Sequence, residues 1–245
     1  MTLVTGGIDL AEASRARGGS QRLRAYVARP EGSGPWPAVV MAMEAFGVND
    51  DMRSHADRIA GWGYVVVVPD LYADGGAKRC LVSTMRAMQS GTGRAFVDLE
   101  TARLWAVAQP WCTGRAGVIG FCMGGGFALL ACDRDRYDVA SANYGQVPED
   151  LSRSCPVVGS YGEKDPSLRG AAATLRSRLA SAGVAHDVVS YPDAGHAFLN
   201  DAPPGPAVLS PLLRVAGFGA SPQTREDAWG RIQAFFGEHL APGPA

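Results

Sequence analysis

Short runs of apolar residues, rich in valine, alternate along the chain with stretches whose apolar positions recur at helical spacing. The runs at 37–45, 64–70, 116–120, 139–144, 156–162 and 187–191 carry few charges, as strands covered on both faces do. Two earlier segments, 3–10 and 21–29, read as an antiparallel pair joined by a polar Ser/Arg/Gly loop. Helices are expected over 49–61, 94–109, 124–133 and 168–182. Asn49 or Asp50 would cap the first, and Gly61 and Gly63 would stop it. The second places Phe96, Leu99, Ala102 and Ala106 on one face and ends at Pro110. A last helix aligns Ala228, Ile232, Phe235, Phe236 and Leu240, and the irregular stretch 74–93 has room for a short helix around 82–89. Buried strands alternating with helices predict an α/β fold with a mostly parallel central sheet flanked by helices on both faces. The stretch 203–222 holds Pro203, Pro204, Pro206, Pro211 and Pro222, but the single helix beyond it could not form a domain. Residues 1–245 therefore read as one domain with a proline-rich excursion.

Composition narrows the function. Apolar residues are 47% of the 245, enough for a sizeable core, which excludes a disordered chain. With 19% charged residues and a net charge of -1, nothing suggests the basic face of a nucleic-acid binder. No apolar run nears the ~20 residues that span a bilayer, so no membrane partner is expected. Asp9, Glu12, Arg15 and Arg17 interrupt any secretory-type apolar stretch. Cys80, Cys112, Cys122, Cys132 and Cys155 are scattered, without CxxC pairs or zinc-finger spacing. A reducing cytoplasm is the natural setting, with no metal, and four of the five cysteines read as small core or surface residues.

The fifth stands apart. Gly120-Phe121-Cys122-Met123-Gly124 follows a predicted strand and opens a predicted helix, the setting of a nucleophile elbow with cysteine in the central place. Glycines permit the sharp turn, and the helix N-terminus favours a thiolate. The backbone N–H of Met123 would then face a developing oxyanion. Asp165 lies just past one later strand and His196 just past the next, in the order nucleophile, acid, histidine. On such a sheet all three would share the carboxyl edge. His55, His186 and His239 read instead as surface or capping residues.

These stretches, together with Glu44-Ala45-Phe46-Gly47-Val48-Asn49, Pro69-Asp70-Leu71-Tyr72, Tyr144-Gly145 and Gly195-His196-Ala197-Phe198, resemble the dienelactone hydrolase (carboxymethylenebutenolidase) family of the α/β-hydrolase superfamily. The resemblance covers nearly the whole chain. It implies hydrolysis of a small-molecule lactone or ester without cofactor. It adds Glu44 as a participant in activating Cys122 and the Ala45 N–H as a second oxyanion donor. Phe46, Tyr72, Tyr144 and Phe198 become expected pocket walls. The two arginines with which the family holds a substrate carboxylate correspond here to Asp74 and Asn200. Guanidinium forks are hard to replace, so a neutral or differently charged substrate is expected unless Lys78, Arg79 or Arg86 supplies a cation. A broader carboxylesterase or thioesterase on the same triad, and a non-catalytic binding protein retaining the fold, are the alternatives. Oligomeric state, monomer or small homo-oligomer, is left open.

Overall fold

Valine-rich segments without charges lose least by lying where both faces of a sheet are covered, and the chain places them there. Its computed structural model describes residues 1–201 and 219–240. Strands β3 (Trp36–Ala42), β4 (Val65–Pro69), β5 (Cys112–Phe121), β6 (Val139–Asn143) and β7 (Val157–Gly162) form the middle of an eight-stranded sheet, and β4, β6 and β7 are buried throughout. With β1 (Leu3–Asp9), β2 (Arg24–Pro30) and β8 (His186–Tyr191), the spatial order is β1-β2-β4-β3-β5-β6-β7-β8. Pairing is parallel from β4 through β8, whereas β2 runs against both β1 and β4.

The helices are α1 (Ala11–Ala16), α2 (Asp50–Ala60), α3 (Ala77–Ser90), α4 (Arg94–Val107), α5 (Met123–Ala131), α6 (Ala171–Ser181) and α7 (Pro222–Leu240). Strand β5 shows how they divide. A side chain at Gly117 would meet Leu240 of α7, and Phe121 packs on Trp229 of α7 with ring centroids 5.8 Å apart. Gly120, on the other face by the two-residue period, abuts α5. The turn after α2 meets α7 through Trp62 and Trp229, and α4 meets α5 through Phe96 and Phe127. The sheet is thus covered on both sides, as expected. Among the described residues no helix is long and apolar enough to cross a membrane.

Two elements differ from the expectation. Helix α1 lies where a loop was expected, in six residues too few to show a helical period. It is held by Asp98 of α4, a 1% exposed carboxylate that accepts from Ser14 Oγ (2.7 Å), Ser20 N (2.8 Å) and Ser20 Oγ (2.6 Å). Helix α3 begins at Ala77, well before residue 82; its buried side, Cys80, Thr84, Ala87 and Met88, opens with a small and a polar residue and so gives little sign of a core face. Of the proline-rich stretch 203–222, residues 203–218 lie outside the described residues, and Pro222 opens α7.

Replacing Asp98 with alanine strands three buried donor contacts at once. Asp98→Ala is expected to lower unfolding free energy by about 2–4 kcal/mol in urea titrations, with the spectroscopic signature of the fold retained below the transition.

Candidate active site

The backbone turns from β5 into α5 at a single residue, Cys122, with φ 55 and ψ -121. Such a conformation is costly for a residue bearing a Cβ and persists only where its surroundings hold it. Here the surroundings are backbone. A methyl group on Gly120 would come within 1.8 Å of Gly124 O, and one on Gly124 within 2.1 Å of Ala42 O, so α5 starts directly against two strands. The Cys122 N–H donates to Asn143 O at 3.0 Å, and the Cys122 carbonyl accepts from Gly125 N–H at 3.0 Å. Met123 is the first residue of α5, where an N–H has no partner within its own helix. Among the described residues, the non-glycine positions with positive φ are Cys122, Tyr144 and Ala197. Tyr144 follows β6, its ring centroid 5.4 Å from that of His196, and Ala197 adjoins His196 in the chain.

Asp165 and His196 leave the ends of β7 and β8 and meet at Cys122. His196 Nε2 is 3.1 Å from Cys122 Sγ, and His196 Nδ1 is 2.6 Å from Asp165 Oδ2. The other Asp165 oxygen accepts from Ser167 N–H at 2.9 Å and Ser167 Oγ at 2.6 Å. The Asp165 side chain is 2% exposed, and that of His196 is 21% exposed. Burial works against the imidazolium, but the hydrogen bonds and charges of Asp165 and Cys122 outweigh it and raise the His196 pKa to about 10. At Asp165 burial works against the carboxylate and is likewise overcome, chiefly by His196 and Ser167, leaving its pKa below the ordinary value. A thiol so placed can pass its proton to an imidazole that is braced to keep it.

Glu44 sits behind this relay, 2% exposed, on the turn after β3. Asn49 Nδ2 donates to Glu44 Oε1 at 2.6 Å, and Asn200 Nδ2 to Glu44 Oε2 at 3.2 Å. Asn49 also caps α2, its Oδ1 accepting from Met52 N–H at 3.0 Å. Burial raises the Glu44 pKa above the usual carboxylate value, more than the two amides lower it. The Glu44 carbonyl accepts from Gly47 N–H at 3.1 Å. Because a trans peptide points its C=O and N–H opposite ways, the Ala45 N–H faces away from that turn. Tyr72 OH donates to Ala45 O at 3.0 Å and pins the next peptide.

His55 corrects the sequence reading. It is not a surface residue but 3% exposed, between Phe121 and Trp229, with Nε2 3.2 Å from Asn200 Oδ1. Burial lowers its pKa to about 4, so it is neutral at pH 7. A neutral ring donating from Nε2 turns the Asn200 amide so that its NH2 faces Glu44. Spacing alone could not reveal this link, because 145 positions separate the two residues.

The expected pocket walls differ from one another. Phe46 is 66% exposed beside Glu44 and Ala45, whereas Tyr72, Tyr144 and Phe198 are buried. Phe198 has no exposed surface and packs between Tyr144 and Tyr191, so it supports the site from within the core rather than lining an open face. Asp74 is tied to Arg94 Nη1 at 2.9 Å and to the backbone N–H groups of Gln21 and Arg22, both at 3.0 Å. Lys78, Arg79 and Arg86 are exposed on α3. The charges bearing on Glu44 include Asp51, itself influenced by Asp50 and Asp201. No cluster of three or more His, Cys, Asp or Glu able to hold a metal occurs among the described residues.

Comparison with known proteins agrees with the resemblance. The sequence profile of the dienelactone hydrolase family matches residues 23–240. A Yersinia pestis protein named "Putative carboxymethylenebutenolidase" is 30% identical over 260 aligned positions, covering 97% of this chain and 91% of that protein. The carboxymethylenebutenolidase of Pseudomonas putida is 32% identical over 178 positions, covering 67% of this chain and 75% of that protein. The crystal structure of a dienelactone hydrolase-like promiscuous phosphotriesterase from metagenomic libraries superposes with a TM-score of 0.80 at 22% identity, over 98% of this chain and 99% of that one, and supports the fold.

The buried neutral His55 makes stability depend on pH. Its folded pKa of about 4 lies below the ordinary 6.5, so between those values the unfolded chain binds a proton that the folded chain does not. Stability is therefore fully present above pH 6.5 and falls toward pH 4, by up to about 3 kcal/mol from this group. Urea midpoints measured across that range should decline less steeply for His55→Gln than for the parent chain.

Proposed function

The chain belongs to the dienelactone hydrolase family and is an ester or lactone hydrolase; from that premise we propose that Cys122 is its nucleophile, with His196 and Asp165 completing a triad. The observation that carries this reading is the continuous relay from Sγ to Nε2 to Asp165, 3.1 Å and then 2.6 Å, at a strained turn on the carboxyl edge of the sheet.

His196 takes the Cys122 proton, and the thiolate attacks the substrate carbonyl carbon. The oxyanion is received by the N–H groups of Met123 and Ala45, each worth roughly 3–4 kcal/mol in comparable sites. His196 then protonates the departing oxygen, and a thioester to Cys122 remains. Water, deprotonated by His196, attacks the thioester and releases the acid and the thiol. In a lactone the departing oxygen stays tethered to the acyl chain, so ring opening and acylation are one event. Glu44 assists from behind. Its carboxyl, of raised pKa, is held by neutral amides close enough to influence His196, and is poised to share the thiol proton once a substrate displaces solvent.

The substrate we propose is an uncharged lactone or ester. Asp74 is committed to Arg94 and the β1–β2 loop, Asn200 is committed to Glu44 and His55, and Asp50, Asp51 and Asp201 lie nearby. A substrate carboxylate would meet a paired carboxylate and a neutral amide where the family's usual pattern offers guanidinium groups.

Cys122→Ala should reduce kcat/KM by a factor of about 1,000 or more while leaving the urea transition in place, since the thiol is a half-buried partner of His196 rather than a core residue. An uncharged butenolide should be turned over with a kcat/KM at least about tenfold above its carboxylate-bearing counterpart, roughly 1.4 kcal/mol of discrimination. Preference for the acid would overturn the substrate assignment and leave the triad standing.

A further inference from the structure

Two other cysteines, both buried, meet at the far end of α5. Cys132 is the residue on which α5 ends, and Cys155 directly precedes Pro156 and β7; each is 1% exposed. Between them the chain makes an antiparallel bridge, Asp133 opposite Ser154. Arg134 N–H donates to Arg153 O at 2.9 Å on one side of that bridge, and Cys155 N–H to Cys132 O at 2.8 Å on the other. The cysteines therefore occupy opposed cross-strand positions, where Cα atoms lie about 4.5–5.5 Å apart. That separation is within the roughly 4.4–6.8 Å a disulfide requires.

The thiols sense one another directly. Their interaction eases ionisation of Cys132, and it pushes Cys155 well up, with burial adding to the effect. Cys132 Sγ also lies 3.3 Å from Ser154 Oγ and 3.0 Å from Leu129 O. The cover is thin. Asp133, Arg134 and Arg153 follow or precede within two residues, and Arg153 is 57% exposed while pairing with Asp133 and Asp135. A small oxidant needs only a local opening of this bridge to reach both sulfurs.

We propose that Cys132 and Cys155 are a redox-active dithiol that closes to an intramolecular disulfide when oxidised by a peroxide. Cys132 thiolate attacks one peroxide oxygen and the O–O bond breaks, giving a sulfenic acid and, after proton uptake, water. Cys155 sulfur attacks the sulfenic sulfur, the S–S bond forms, and a second water leaves with the Cys155 proton. Two thiols are oxidised by two electrons and one peroxide is reduced. The bond would staple the end of α5 to the start of β7, about 13 Å along the nine-residue helix from Cys122. It would close the loop that contains β6 and so restrain the unfolded chain without touching the relay.

The test uses the full chain carrying Cys122→Ser, so that oxidation of the elbow thiol does not intrude. The folded protein is treated with a stoichiometric amount of hydrogen peroxide, alkylated and digested without reduction. The expected product is a peptide pair joined through Cys132 and Cys155, two hydrogens lighter than the sum, which a dithiol reductant separates. Oxidation should also raise the melting temperature by several degrees, a rise lost in Cys155→Ala. Recovery of both residues as alkylated thiols, or of Cys132 as a sulfinic acid with no cross-link, would overturn the proposal. Because the peptide map is read on the chain with both thiols present, it decides the question even should Cys155→Ala fail to fold.

Discussion

How closely one helix may approach a sheet decides everything about this site. Helix α5 begins with its backbone against the Ala42 carbonyl of β3 and with its own Gly124 carbonyl against Gly120 of the preceding strand, contacts that no side chain at Gly120 or Gly124 would tolerate. Those contacts force Cys122 into a conformation it would not adopt alone. The strain is held by hydrogen bonds to Asn143 and within the first turn of α5, and its product is a sulfur lifted clear of the sheet edge. Asp165 and His196 need only be delivered by ordinary strand ends. The parallel register from β5 through β8 does this, because it brings every carboxyl terminus to the same side.

Behind the relay lies a second layer with a different logic. Glu44, Asn200 and His55 are each at most 4% exposed and are joined in sequence by hydrogen bonds, with neutral groups doing all of the donating. A cation in the place of Asn200 would bind Glu44 more tightly and hold it ionised. Amides leave its charge adjustable, since burial and hydrogen bonding act on it in opposite directions. The arrangement suits a carboxyl that has to respond to what enters the site.

The sheet, its flanking helices and the strand ends that carry Cys122, Asp165 and His196 were legible in the sequence because each rests on a local signal. Unbroken valine runs mark strands buried on both faces, and paired glycines mark a turn. Helix α1 and the true start of α3 were not legible, since a six-residue helix has no period to read and the inner face of α3 opens with a small and a polar residue. His55 was misread for a related reason. Histidine is ambivalent toward burial, and what draws this one inside is a partner on another loop. Phe198 carried no sign of facing the core rather than an open pocket, because the aromatic residues around it, Tyr144 and Tyr191, come from the ends of two separate strands.

Asp74 has a consequence for how such a chain can diverge. Its carboxylate fastens the loop joining the first two strands, through two backbone N–H groups, and neutralises Arg94 at the start of α4. A position where the family resemblance led one to expect a substrate-binding arginine is here a mechanical fastening for the edge of the sheet. Acquiring a guanidinium there would untie the loop and set two arginines against one another. A charge reversal at this one position would therefore require compensating changes in the loop between the first two strands and at the start of α4.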